Sequence, residues 1–471
     1  MPMSSSRPVL LLNPPSPQRH IRDLYCSVSS KGGYYWPPID LLVLGGIVGK
    51  EFPIAVLDAV AEKLSEEEAL SRAASLRPSA VLALTGSSTW AADREFLRRL
   101  KELTGATIAV SGDVVKDPER WILAERGADA LILDFTSSGV IRYLSGERPD
   151  GGLPGMAYLR GERVVEPPRD APAQASYPTP PHELFPLDRY RLPYSRRHPL
   201  TTVQTGFGCP FACSYCIQNV NVMGYRTRPI GEVLEELEHL RRIGVGEIFF
   251  RDPLFDADRT RVLELCREMV RRGFAFSWSC NSRVDVIRDE TAAAMKSAGC
   301  GCVIFGFETA DERVLAAYDK KTTLAQARRA VETCRRHGLR VGGYWILGLP
   351  EEDYDSCLRT VDFAVELGLD FASFSFPSPD YGTRLRADAI ASGRISSDAR
   401  RFDRSVTAAS ASDLTQAELI AIHRAAIRRF YLRPAYAWNT LLGIRNWRQL
   451  AAAADSLRVL LGAYLSAGSA V

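Results

Sequence analysis

Cys209, Cys213 and Cys216 stand in the run Thr205-Gly-Phe-Gly-Cys-Pro-Phe-Ala-Cys-Ser-Tyr-Cys, a C-x3-C-x2-C spacing with Tyr215 just ahead of the last cysteine. Three thiols in so short a loop suit neither a disulfide framework nor a core, and must share a metal or a cluster. A tetrahedral zinc site wants a fourth ligand, and no second C-x2-C or H-x3-H pair follows. Soft thiolates also select iron–sulfur clusters. On a four-iron cluster, three cysteines leave one iron open to a ligand that is not protein.

The residues after this loop return to a strand–helix period. Apolar runs end one after another in polar or turn residues: Asp252, Asn281 with Arg283, Glu308 in Gly306-Phe-Glu-Thr309, and Gly348-Leu-Pro350. Amphipathic helices separate them, such as 230–243 with Val233, Leu234, Leu237 and Leu240 on one stripe. Residues 200–394 therefore predict a partial (β/α)6 barrel whose functional groups sit at the strand C-termini. Tyr381, in the turn Tyr381-Gly-Thr383 after the last strand, is a candidate for proton or radical handling, or else a turn tyrosine.

Residues 1–146 read as a second α/β unit. Its strands end in Asn13-Pro14-Pro15, in Asp58, in Thr85-Gly-Ser87-Ser88-Thr89 ahead of Trp90, and in Ser111-Gly112-Asp113. Ser65 followed by Glu68 marks a capped helix start. This alternation predicts a doubly wound, Rossmann-like parallel sheet with ligands at its carboxyl ends. Residues 147–199 are rich in Pro and Gly and read as a semi-rigid connector, with a small hairpin turning at Gly161. Residues 395–471 read as helical, with Thr415 as an N-cap and Leu419, Ile422, Ala426 and Phe430 on one face.

With 46% hydrophobic and 24% charged residues the chain has the composition of a soluble protein that buries sizeable cores. A net charge of +3 over 471 residues provides no nucleic-acid-scale basic field. Ten cysteines without a secretory segment fit a reducing cytoplasm. No apolar run is long enough to span a membrane, so contact with one is at most peripheral. Cys26 reads as an exposed loop thiol. The remaining cysteines outside the triplet read as small hydrophobes, and His182, His198, His239, His337 and His423 as solvated or capping groups.

The cysteine run resembles the signature of the radical S-adenosylmethionine (SAM) enzymes. The resemblance implies a [4Fe-4S] cluster on Cys209, Cys213 and Cys216 whose open iron chelates SAM, and one-electron cleavage of SAM to a 5′-deoxyadenosyl radical. It places Asp252, Asn281, Arg283, Glu308, Gly348, Pro350 and Tyr215 around SAM. The strand ending in Asn13-Pro14-Pro15, with Pro37-Pro-Ile-Asp-Leu-Leu42 and Val56–Ala59, is similar to the cobalamin-binding domain of one radical SAM subfamily. That similarity implies cobalamin near Asn13, Pro14, Ser87, Ser88, Thr89, Trp90, Ser111 and Gly112. The Asp-x-His-x-x-Gly box of other cobalamin proteins is missing, which leaves His20 as a remote candidate for a cobalt ligand. The family points to C-methylation of a small-molecule or lipid substrate, or to a non-methylating cyclisation, rearrangement or C–C coupling. It also implies an external one-electron donor of the flavodoxin or ferredoxin type. A SAM- or cobalamin-sensing protein without turnover would not need an open iron.

Overall fold

The computed structural model describes residues 7–30, 34–168, 174–220, 224–400 and 411–434, together with 436–438, 444, 450, 454, 457 and 458. Two parallel sheets dominate. The first contains β1 (Val9–Asn13), β2 (Ile54–Asp58), β3 (Ala80–Leu84), β4 (Thr107–Ser111), β5 (Ala130–Ile132), β6 (Met156–Arg160) and β7 (Arg163–Val165). Their spatial order is β2-β1-β3-β4-β5-β6-β7. β1 to β5 run parallel, while β6 and β7 add antiparallel to the edge. The hairpin expected inside the connector thus extends the first domain's sheet. β1 and β3 are fully buried apolar runs, as a sheet covered on both faces requires.

The second sheet is β8 (Leu200–Val203), β9 (Glu247–Phe250), β10 (Ser277–Ser282), β11 (Cys300–Glu308), β12 (Arg340–Ile346) and β13 (Phe371–Ser375), all parallel and in sequence order. Helices intervene after each strand from β9 to β12, which gives the partial (β/α)6 barrel read from the sequence. The helix Gln416–Tyr431 begins with the expected capping box at Thr415 and Glu418 and buries Leu419, Ile422, Ala426 and Phe430. The rest of the region expected to be helical, beyond 438, lies almost entirely outside the described residues.

The connector touches both units. The helix Ile39–Val48 is buried along its whole length, and Gly46 lets the Pro178 carbonyl lie where a Cβ would be 2.6 Å from the oxygen. Tyr190 donates to Asp58 at 2.8 Å and Tyr177 to the Gln204 carbonyl at 3.1 Å. His182 is fully buried between Thr201, at 2.8 Å, and Glu236, at 3.0 Å. Glu236 also accepts from Arg228 at 2.6 Å. His182 is therefore a structural bridge, which corrects its reading as a solvated group: a hydroxyl and a carboxylate partner arrive from sequence-distant elements and make its burial tolerable.

Candidate functional site

A short hairpin, His20–Asp23 paired with Cys26–Ser29, joins the carboxyl ends of the two sheets. Its Asp23 accepts from Arg251, just past β9, at 3.0 Å, and its Tyr25 accepts from Gln204, just past β8, at 2.9 Å. Arg226, after the cysteine loop, donates to Asp134, just past β5, at 2.8 Å. The strand ends of both domains therefore face one another, with the cysteine loop in the same region.

Cys213 is buried, and Cys209 and Cys216 are half-buried. Arg283, beyond β10, donates to Cys213 Sγ at 3.3 Å, binds Asp285 through two nitrogens at 3.0 and 3.1 Å, and donates to the Lys320 carbonyl at 2.8 Å. Its guanidinium lies 3.9 Å over the Phe211 ring, inside the loop. Burial raises the Cys209 thiol above its ordinary value, and bound iron would reverse this by taking the thiolate. Among the described residues no three His, Cys, Asp or Glu side chains converge on a single-ion site. Three thiols from one loop have the chemistry a four-iron cluster takes, in which each thiolate binds a different iron.

Asp252 is buried and fastens the base of the loop. Its carboxylate accepts from the Thr205 N–H at 2.7 Å, the Thr205 hydroxyl at 2.6 Å and the Gly206 N–H. Asn281 donates to the Asp252 carbonyl at 2.9 Å. Burial pushes the Asp252 carboxyl up to about 6 against these hydrogen bonds. Glu308 ends β11 with φ of 70° at a register shift. It pairs with Lys320 at 2.8 Å and hydrogen-bonds Tyr215. The turn at Gly348 and Pro350 is held by Glu352, which accepts from the Gly348 and Leu349 N–H groups at 3.1 and 2.9 Å and from Thr309 at 2.6 Å. Sequence reasoning missed Lys320 and Glu352: each sits in a charged run that reads as solvent-facing. Tyr381 is buried, with Arg386 4.6 Å over its ring.

On the first sheet's side, many expected contact residues are engaged internally. Asn13 donates to Asp58 at 3.0 Å and accepts from buried Arg22 at 3.0 Å; Arg22 also donates to Thr89 and Asp93, at 3.0 and 2.8 Å. Pro14 gives its carbonyl to Arg22 at 3.1 Å. Ser87 bonds Asp113 through its N–H and hydroxyl at 2.9 and 2.7 Å, Ser111 bonds Asp40 at 2.6 Å, and Ser88 bonds Ser27. Trp90 stacks edge-on against Trp121, with centroids 5.5 Å apart. Gly112, at φ of 124°, is required by its own fold: a Cβ there would lie 1.8 Å from the Thr85 oxygen. His20 has Ser16 and Ser29 on its two ring nitrogens, at 2.8 and 3.0 Å. Cys26 is buried beside Arg251, 3.8 Å from its guanidinium, rather than exposed. The hairpin's pairing, invisible to local polarity, encloses it.

The radical SAM superfamily model matches residues 203–364, from the end of β8 through most of the barrel. Residues 203–364 are thus a radical SAM domain. An uncharacterised methyltransferase of Pyrococcus horikoshii is 29% identical over 409 residues, covering 84% of this chain and 88% of that one. An anaerobic magnesium-protoporphyrin IX monomethyl ester cyclase of Rubrivivax gelatinosus is 26% identical, over 73% of this chain and 64% of its own. Among solved structures, the radical SAM methyltransferase TsrM of Kitasatospora setae, with cobalamin and a [4Fe-4S] cluster bound, superimposes with a TM-score of 0.63 at 20% identity. The match covers 82% of this chain and 78% of TsrM. The cobalamin-dependent enzyme OxsB reaches 0.70 at 13% identity, over 98% and 72%. The two α/β domains expected from the sequence thus share the fold of TsrM and OxsB.

Proposed function

We propose that this radical SAM enzyme is a cobalamin-dependent C-methyltransferase acting on an unactivated carbon of a small-molecule or lipid substrate. The observation that carries the reading is the opposition of the two sets of strand carboxyl ends, joined by the contacts of Asp23 with Arg251, Tyr25 with Gln204 and Asp134 with Arg226, with the cysteine loop in the same region. Similarity to a methyltransferase over most of both chains supports it. Cys209, Cys213 and Cys216 would hold the [4Fe-4S] cluster, and the polar ends from Asp252 to Pro350 would surround SAM. Cobalamin would lie against the first sheet's ends, from Asn13 to Gly112.

When bound, these cofactors supply radical generation from SAM and a transferable methyl group; the protein supplies position and exclusion of water. Arg283 orients the cysteine loop and shields a thiolate. Asp252 fixes where the loop starts, and Glu352 fixes the turn at Gly348. Glu308 and Lys320 hold Tyr215 beside the last cysteine. Electrons would come from a flavodoxin- or ferredoxin-type donor in the cytoplasm. No described helix is long and apolar enough to cross a membrane.

Protein purified anaerobically from cells supplied with cobalamin should retain close to one equivalent per chain, and its reaction should move label from methyl-labelled SAM into product. An intact cluster that cleaves SAM without any retained cobalamin would overturn the methyltransferase reading. The similarity to an anaerobic cyclase favours one second reading, a non-methylating cyclisation with the same cofactors. Retained cobalamin without label transfer would decide for it.

A further inference from the structure

Lys116 ends the short helical turn Asp113–Lys116 that follows β4 and Gly112, at the carboxyl edge of the first sheet. Its Nζ is sealed from solvent and has no hydrogen-bond partner among the described residues. Placing an ammonium in such a position is unfavourable unless something bonds it. Three carboxylates surround it electrostatically, Asp23, Asp113 and Asp380, together with the Cys216 thiol. Each carboxylate already has its own donors. Asp23 accepts from Arg251 and from the Tyr25 and Cys26 N–H groups. Asp113 accepts from Ser87 twice, and Asp380 from Ser378 at 2.9 Å. The Tyr25 ring, 5.6 Å from the ammonium, offers only a π-face.

We propose that Lys116 is a cofactor-anchoring residue whose ammonium donates a hydrogen bond to a neutral amide oxygen on the rim of the corrin, between the two domains. The assignment rests on the cobalamin reading above. Its position supports the corrin: Lys116 is carried by the first sheet's own strand-end loop, while Asp380 and Cys216 reach the same spot from the barrel side. Charge supports a neutral acceptor. With Arg251 counted beside Lys116, the three aspartates leave the neighbourhood net negative, so another anion would be repelled. Burial lowers the ammonium to about 8, so it stays protonated at neutral pH and keeps its donors.

The test titrates the full-length chain, stripped of cobalamin, with hydroxocobalamin and follows quenching of tryptophan fluorescence, comparing wild type with Lys116→Met and Lys116→Arg. Loss of one charge-assisted hydrogen bond should weaken binding by about tenfold or more in Lys116→Met, with partial recovery in Lys116→Arg. The thermal midpoint of cobalamin-free Lys116→Met should equal or exceed wild type, since the substitution removes a buried charge that has no partner there. Equilibrium dialysis of labelled SAM against cluster-loaded protein should be unchanged. Equal cobalamin affinity in the two variants and wild type overturns the assignment. So does weaker SAM binding with cobalamin binding intact, which would give the ammonium to the SAM carboxylate. A lowered midpoint that accounts for the lost affinity would make Lys116 structural and overturn it as well. A wild-type chain that binds no hydroxocobalamin overturns the cobalamin reading itself, and this assignment falls with it.

Discussion

Arg283 donates to a cysteine of the triplet, with an N–H 3.3 Å from Cys213 Sγ and a guanidinium stacked on Phe211. Hydrogen bonds to cluster sulfurs favour the reduced, more negative state, so they raise the reduction potential. Arg283→Met should therefore lower the midpoint of the cluster. If the bond is worth about 1 kcal/mol more to the reduced state, the shift is about 40 mV. An EPR-monitored redox titration checks it, and an unchanged or raised midpoint would count against this role. The sequence showed Arg283 as a polar residue at a strand end but not its direction. Resemblance pointed it at SAM, whereas its guanidinium is held by Asp285, the Lys320 carbonyl and the loop. Lys116 and Lys320 were illegible for a different reason. Each sits next to another charged residue, Asp117 or Lys321, and local pattern reads such pairs as solvated; only the meeting of sequence-distant loops buries them.

At the scale of elements, the strands were legible because apolar runs end abruptly in polar turns, and the capped starts at Ser65 and Thr415 are written locally. The connector was not. Proline excluded helix and central strand there, but nothing local showed that residues 156–165 would join the first sheet or that His182 would be buried. Its docking depends on a small residue in the opposing helix. An exposed helical Gly→Ala change stabilises by about 1 kcal/mol. At Gly46 the sign should reverse, because the added Cβ meets two backbone oxygens, of Pro178 at 2.6 Å and Thr179 at 3.2 Å, that cannot rotate away. Gly46→Ala is expected to destabilise the chain by about 1–3 kcal/mol, as overpacking does, and to hasten proteolysis near 178–181. Urea unfolding and limited digestion test both; a gain in stability would show that the connector yields freely.

Across the whole molecule, the opposed faces bury several carboxylates. Burial pushes Asp40, Asp256 and Glu352 up to about 7 and Asp252 to about 6. Each group therefore holds more protons in the folded chain than in the unfolded chain between its ordinary value, near 4, and its raised one. Where the folded state binds the extra proton, stability falls as pH rises. The loss should run through pH 4 to 7 and level off above it. Lys116 acts in the opposite sense, but its window opens only above about 8. Exposed carboxylates lowered by arginine partners, such as Glu95 and Glu268, matter below their ordinary range. The cofactor-free chain should thus resist urea better near pH 6 than near pH 7.5, by about 1–3 kcal/mol after allowing for relaxation around the buried groups. The double variant Asp256→Asn, Glu352→Gln should flatten that slope, since it removes two of the groups with the highest raised values. A higher urea midpoint at the more alkaline pH would mean that the hydrogen bonds from Thr205, Ser282 and the Gly348 turn outweigh burial. In that case these carboxylates brace the strand ends as ions, and the face between the two sheets is more polar than its packing indicates.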